Sequence, residues 1–151
     1  MDISQAEKTL QKLRQVTEAS VRKDLKSVIS TDFDTQLVDS VASNWKKGIK
    51  GNGDIIGGYR SDAYRAMKEA MNPMAGGNVD LIYEGDFVSS LFFDNTTNKL
   101  IDIDASDSKR GKLVGKYGEG IFEVSDDIEK EVIDDAVEEV YKIIGERIFN
   151  G

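Results

Sequence analysis

Two patterns in the chain carry residue types that could do chemistry. Ser106-x-x-Lys109 has the spacing of a serine nucleophile beside a lysine base, and Asp102, Asp104 and Asp107 bring three carboxylates into one short stretch that could attract a cation. Neither pattern is specific. The Ser-x-x-Lys spacing recurs at Ser20/Lys23 and Ser43/Lys46, and the aspartates lack the Asp-x-Asp-x-Asp-Gly order and distal glutamate of a calcium loop. The glycine-rich residues 51–58, GNGDIIGG, suggest a phosphate cradle. They follow a helical pattern instead of a strand and have no Gly-Lys-Ser/Thr ending, so they read as a flexible connector.

The chain contains no histidine and no cysteine. That removes the commonest general base, the commonest metal ligand and the usual partner of a serine nucleophile. It also removes disulfides, thiolate chemistry and cysteine zinc sites. These residues predict no catalytic site, no cofactor and no metal, and the chain reads as something other than an enzyme.

The elements that would position any site follow from length and periodicity. At 151 residues the chain is expected to form a single domain, with a helical part over 1–71, a small β-sheet part over 79–122 and a C-terminal helix over 125–148. The N-terminus lacks the apolar stretch of a signal peptide, and no apolar run reaches membrane-spanning length, so no membrane partner is expected. Charge is uneven. Residues 1–70 carry 12 basic and 10 acidic side chains, a net of +2, whereas residues 71–151 carry 8 and 18, a net of −10. Such an acidic half repels a phosphate backbone, so specific nucleic-acid binding is not expected.

Ile3, Ala6, Leu10, Leu13, Val16, Val21, Leu25 and Val28 recur at helical steps and predict one long helix over 3–29, capped by Asp2 with Gln5. That helix is longer than a small core can cover, which leaves surface for another subunit. Ser30-Thr31-Asp32 reads as a break, followed by a second helix with Phe33, Leu37, Val38, Val41, Ala42, Trp45 and Ile49 on its apolar stripe. A third helix over 61–71 should turn Ala63, Tyr64, Met67, Ala70 and Met71 inward, stopping at Asn72-Pro73 before a mobile loop at 74–78. Val79, Leu81 and Tyr83 predict a short strand, and Leu100, Ile101 and Ile103 its hairpin partner after a loop at 94–98. Residues 87–93 fit either a strand or a helical turn running into one, and 106–112 read as a polar loop. Ser125 should cap a final helix whose buried stripe runs through Ile128, Val132, Ile133, Ala136, Val137, Val140, Tyr141, Ile144 and Ile148, with an acidic opposite face. The expected class is α+β: N-terminal helices, one of them long, a small antiparallel β-sheet and a C-terminal amphipathic helix.

The order of motifs over residues 81–133 resembles a known family. A Gly-Asp-Phe-x-x-Ser step (Gly85, Asp86, Phe87, Ser90) precedes a hairpin ending in Ile-Asp-Ile-Asp, and a Lys-Tyr-Gly turn (Lys116, Tyr117, Gly118) leads through Ile121 and Phe122 into the terminal helix. This is similar to the tail-completion and head–tail connector (neck) proteins of tailed bacteriophages. There a Thr-Gly-x-Leu-x-x-Ser segment and a Glu-Tyr-Gly-Thr-like turn flank a small sheet. The resemblance implies a structural virion protein with no cofactor. It would be assembled in the host cytoplasm as a homo-oligomeric ring at the neck, joining the portal or connector to tail proteins, with DNA passing nearby. On that reading Gly85, Asp86, Phe87, Ser90, Lys116, Tyr117, Gly118, Ile121 and Phe122 are interface candidates. The alternative is a small soluble interaction module, or another particle protein without catalytic activity.

Overall fold

The computed structural model describes residues 2–82 and 85–150. The expected α+β class is the observed one: helices make up most of the described chain, and the sheet is a two-stranded antiparallel hairpin.

The first helix, α1 (Ile3–Arg14), begins as expected, with Asp2 accepting from the Gln5 amide at 2.7 Å. It stops well short of residue 29. The chain breaks after Arg14, and α2 (Glu18–Val28) restarts on a reciprocal cap. Thr17 Oγ1 accepts from the Ser20 amide at 3.1 Å, and Ser20 Oγ accepts from the Thr17 amide at 2.9 Å. A serine closes this box where glutamate or glutamine is usual, so the pattern does not announce itself in the sequence.

Where Ser30-Thr31-Asp32 suggested a break, the helix continues. A π-helical turn, Ile29–Phe33, joins α2 to α3 (Asp34–Lys46), and Ser30 donates its hydroxyl to the Ser27 carbonyl instead of capping a new helix. The long helical rod is therefore 18–46, not 3–29. Spacing explains the wide turn. Leu25, Ile29, Phe33, Leu37, Val41 and Trp45 lie four apart, so in a regular helix the stripe would rotate by about 40° per step. A π-turn absorbs part of that drift and keeps both halves on one core.

Residues 51–58, expected to be a flexible connector, start as a docked turn. The Lys50 amide donates to the Asp54 carbonyl at 2.8 Å, and Asn52 Oδ1 accepts from the Asp54 amide at 3.0 Å. Gly51 lies against the chain beyond the hairpin, where a Cβ would sit 2.5 Å from the Glu123 carbonyl oxygen. The helix expected over 61–71 is α4 (Asp62–Met71), capped by Ser61 and giving way at Asn72 to a 3₁₀ turn, Pro73–Ala75.

Val79 and Leu81 are buried but belong to no strand; the Val79 amide donates to the Gly57 carbonyl at 2.9 Å. Tyr83, the third residue of that expected strand, lies outside the described residues. The undecided stretch 87–93 resolves into a one-turn helix, α5 (Asp86–Ser89), running into β1 (Leu91–Phe93). Its partner β2 (Ile103–Ala105) pairs in the register Leu91↔Ala105, Phe92↔Asp104 and Phe93↔Ile103. Leu100 and Ile101, expected within that strand, precede it. The loop before β2 is instead held on α2, where Arg22 donates to the Asn98 carbonyl at 2.7 Å and Lys26 to the Thr97 carbonyl.

The expected polar loop at 106–112 is partly helical: Asp107 Oδ1 accepts from the Lys109 amide, and α6 (Arg110–Tyr117) follows. A 3₁₀ turn, Glu119–Phe122, then leads to α7 (Asp126–Phe149), the 24-residue terminal helix. Ser125 does not cap α7 with its side chain; its hydroxyl meets Asn44 Nδ2 at 3.0 Å and so ties the start of α7 to the end of α3. At the other end Arg147 clamps Asp24 of α2 at 2.7 and 3.0 Å. Val132, Ala136, Val140 and Ile148 are buried as expected, but Tyr141 is 72% exposed. One continuous apolar cluster joins the rod, the hairpin and α7.

Candidate functional site

Three of the residues that carry the phage resemblance, Phe87, Ile121 and Phe122, converge on Trp45. Phe87 stacks on its indole at 4.9 Å between ring centroids with a 2° interplanar angle, and Phe122 packs tilted against both rings. Trp45 Nε1 donates to the Ile121 carbonyl at 2.6 Å. Phe87, Ile121 and Phe122 are buried, so these three interface candidates act in the core, where they fix the only tryptophan. Ser90 is half-buried and closes the α5 turn through its hydroxyl on the Phe87 carbonyl at 2.7 Å. Tyr117 is also half-buried, with its ring against Gly57 and the Lys116 ammonium 5.1 Å from the ring centroid. Gly85, Asp86, Lys116 and Gly118 are exposed. Gly85 and Gly118 hold φ of +74° and +84°, left-handed values that favour glycine at the start of α5 and the end of α6.

The surface that spacing did not anticipate is α4. Ala63, Tyr64, Met67, Ala70 and Met71, expected inward, all face solvent; Met71 is 58% exposed, and Met74 in the next turn 56%. Lys68 turns inward instead. It is 3% exposed and donates to Asp80 Oδ1 at 2.6 Å. Asp80 Oδ2 accepts from Asn72 Nδ2 at 2.9 Å, and that nitrogen also reaches the Lys46 carbonyl at 2.7 Å. The Tyr59 hydroxyl accepts from the Asp80 amide at 3.3 Å, and its ring stands edge-on to Tyr64.

Burial opposes the Lys68 charge, but the hydrogen bond and field of Asp80 outweigh it, so the ammonium titrates above its ordinary range. Burial also pushes the Tyr59 phenol up. This polar cluster decides the rotation of α4. The ion pair forms only with Lys68 inward, and that turns the methionine stripe out.

A cleft of about 660 Å³ opens between the hairpin loop, α6 and the start of α7. Its walls carry Asp94, Asp102, Asp104, Glu119, Glu123, Asp126 and Glu129 against Lys99 and Arg110. Arg110 crosses it, bonded to Asp104, 3.4 Å from Glu119 and 5.4 Å from the Phe122 ring centroid. The hydrogen bond that Arg110 donates to Asp104 raises its pKa further. With Asp104 held by Arg110 and Asp107 by the Lys109 amide, the aspartate trio does not converge; among the described residues no acidic cluster has the arrangement to hold a metal ion. Ser106 directs its hydroxyl to the Ser90 carbonyl.

Sequence reasoning missed Lys68, Asp80, Asn72 and the outward Met71 and Met74. A faint signal existed in Asp80, a charge set within the apolar run Val79–Ile82. A search of family models, curated proteins and solved structures found no match for the chain.

Proposed function

We propose that this chain is a non-catalytic structural subunit of a tailed-phage particle, in the neck or tail-completion ring that joins the portal region to the tail. The observation that carries the reading is α4. A monomer leaves Tyr64, Met67, Met71 and Met74 in water while a lysine is buried behind them. An exposed apolar stripe of this kind marks a contact surface, and methionine suits a surface that must adapt to its partner. The motif order over 81–133 and the plan of long helices on a small sheet support the phage assignment. No described helix is long and apolar enough to cross a membrane; placement at the virion neck belongs to the proposal.

Light scattering of the purified protein across concentration, with negative-stain images of large species, tests the reading. Closed rings are expected, together with the protein's presence in purified virions by mass spectrometry. A strict monomer that is also absent from virions sinks it. The acidic cleft favours a second reading, a module that docks a basic segment, which would give a monomer binding cationic peptides with strong salt dependence.

A further inference from the structure

We propose that the methionine face of α4 docks on the outer face of α7 in the next copy of this chain, so that subunits join head to tail. The inference rests on the ring reading above and names the surfaces that would make it.

The outer face of α7 is another uncovered patch, in addition to the exposed Ile3, Leu10 and Leu13 of α1. Tyr141, Gly145 and Phe149 follow at steps of four on the side opposite Val132, Ala136 and Val140. Tyr141 and Phe149 are 72% and 69% exposed, and Gly145 has open space where a Cβ would stand. Two rings flanking a glycine form a notch. Sulfur–aromatic contact gives methionine side chains a specific partner there, and their flexibility lets them fill it.

Charge matches as well. Along the same face, on the N-terminal side of the notch, stand Glu131, Asp134 and Glu138, with Lys142 beside the notch itself held near Glu139. Around α4 the exposed cations are Lys46, Lys47, Arg60 and Arg65, with Asp62 and Glu69 the nearby exposed acids on the helix.

The two patches sit at opposite ends of the molecule. α4 is fastened to the end of α3 through Asn72 and Lys46, and Asn44 ties that same end to Ser125 at the start of α7. From Ser125, Tyr141 and Phe149 lie about 24 and 36 Å along the helix axis. Two different, complementary patches at opposite poles make a heterologous contact, which repeats until it closes as a ring or runs on as a filament. Tyr64, Met67, Met71 and Met74 are far fewer than the ~20–30 residues a side of a standard interface, so one contact is weak and closure supplies the stability.

The absence of native cysteine makes the test clean. Met71→Cys and Tyr141→Cys are prepared singly and together in the full chain and oxidised. The proposal expects a mixture of the two single variants to give a disulfide dimer that neither forms alone. The double variant should give a ladder ending in one closed species. Met67→Glu with Met71→Glu should keep the wild-type melting profile, because both sites are exposed, and weaken assembly about tenfold or more. Wild-type rings with no 71–141 cross-link, or with Met71→Cys pairing to itself, overturn this contact while the ring reading survives. A chain that stays monomeric at every concentration and yields no ladder overturns this contact, and its absence from purified virions as well overturns the ring reading.

Discussion

Lys68 and Asp80 meet at 2.6 Å with almost no solvent contact, and the consequences of breaking that pair are large. Lys68→Met leaves a carboxylate buried without its cation, which should cost about 3–5 kcal/mol. Lys68→Met combined with Asp80→Leu should cost less than either single change, because no isolated charge remains. Urea denaturation followed by Trp45 fluorescence measures both. The pH dependence has a definite sign. Lys68 binds its proton more tightly in the folded chain than at its ordinary 10.5, so its contribution is complete below that pH and disappears as pH rises through the folded value. Tyr59, raised above 10.0 by burial, ionises first in the unfolded chain and pulls the same way. The melting temperature should therefore fall more steeply above about pH 10 in the wild type than in Lys68→Met. Equal slopes would exclude Lys68 as the source.

Elements were legible where a local pattern and the tertiary fold agree. Asp2 capping α1, Ser61 opening α4 and the stripe Val132, Ala136, Val140 on α7 all act locally, through one turn of hydrogen bonds or one face of a helix. Boundaries failed where two local solutions compete. Ser30-Thr31-Asp32 and Thr17-x-x-Ser20 both offer capping hydroxyls; burial of Val28 and Ile29 favours continuity at the first, and the reciprocal Thr17–Ser20 cap marks the break at the second. Thr17→Ala should then lower stability by about 1 kcal/mol, whereas Ser30→Ala should leave the melting temperature within experimental scatter. Gly51 acts at the same scale. A methyl group there would collide with the Glu123 carbonyl, and Gly51→Ala is expected to cost about 1–3 kcal/mol in thermal or urea unfolding. An unchanged melting point would show that the turn moves freely off the 3₁₀ segment.

Across the whole molecule, stability is spread unevenly. The rod, hairpin and α7 share one core around Trp45, but every residue of α1 is exposed or half-buried. Deleting residues 1–16 should leave a cooperative transition, shifted by a few degrees at most. Loss of the folded near-UV spectrum would place α1 in the core after all. Charge is also a whole-molecule property. The net of −8, with the acids concentrated beyond residue 70, sets a like-charge repulsion between copies that salt relieves; the contact proposed between the basic α4 end of one copy and the acidic α7 face of another should instead weaken as salt rises.

The sequence by itself determined the α+β class, most of the α7 stripe, the core place of Trp45 and the uneven charge, because these depend on composition and on periodicities one helix long. Only the tertiary structure decided which way α4 faces. Its apolar period predicts an inward stripe, yet an inward Lys68 reaches Asp80, twelve residues away, with Asn72 and Tyr59 completing the cluster. It also decided that Phe87, Ile121 and Phe122 close on Trp45 instead of facing a neighbour. A one-dimensional pattern records how apolar a face is, but not whether a buried partner for its opposite face waits elsewhere in the chain.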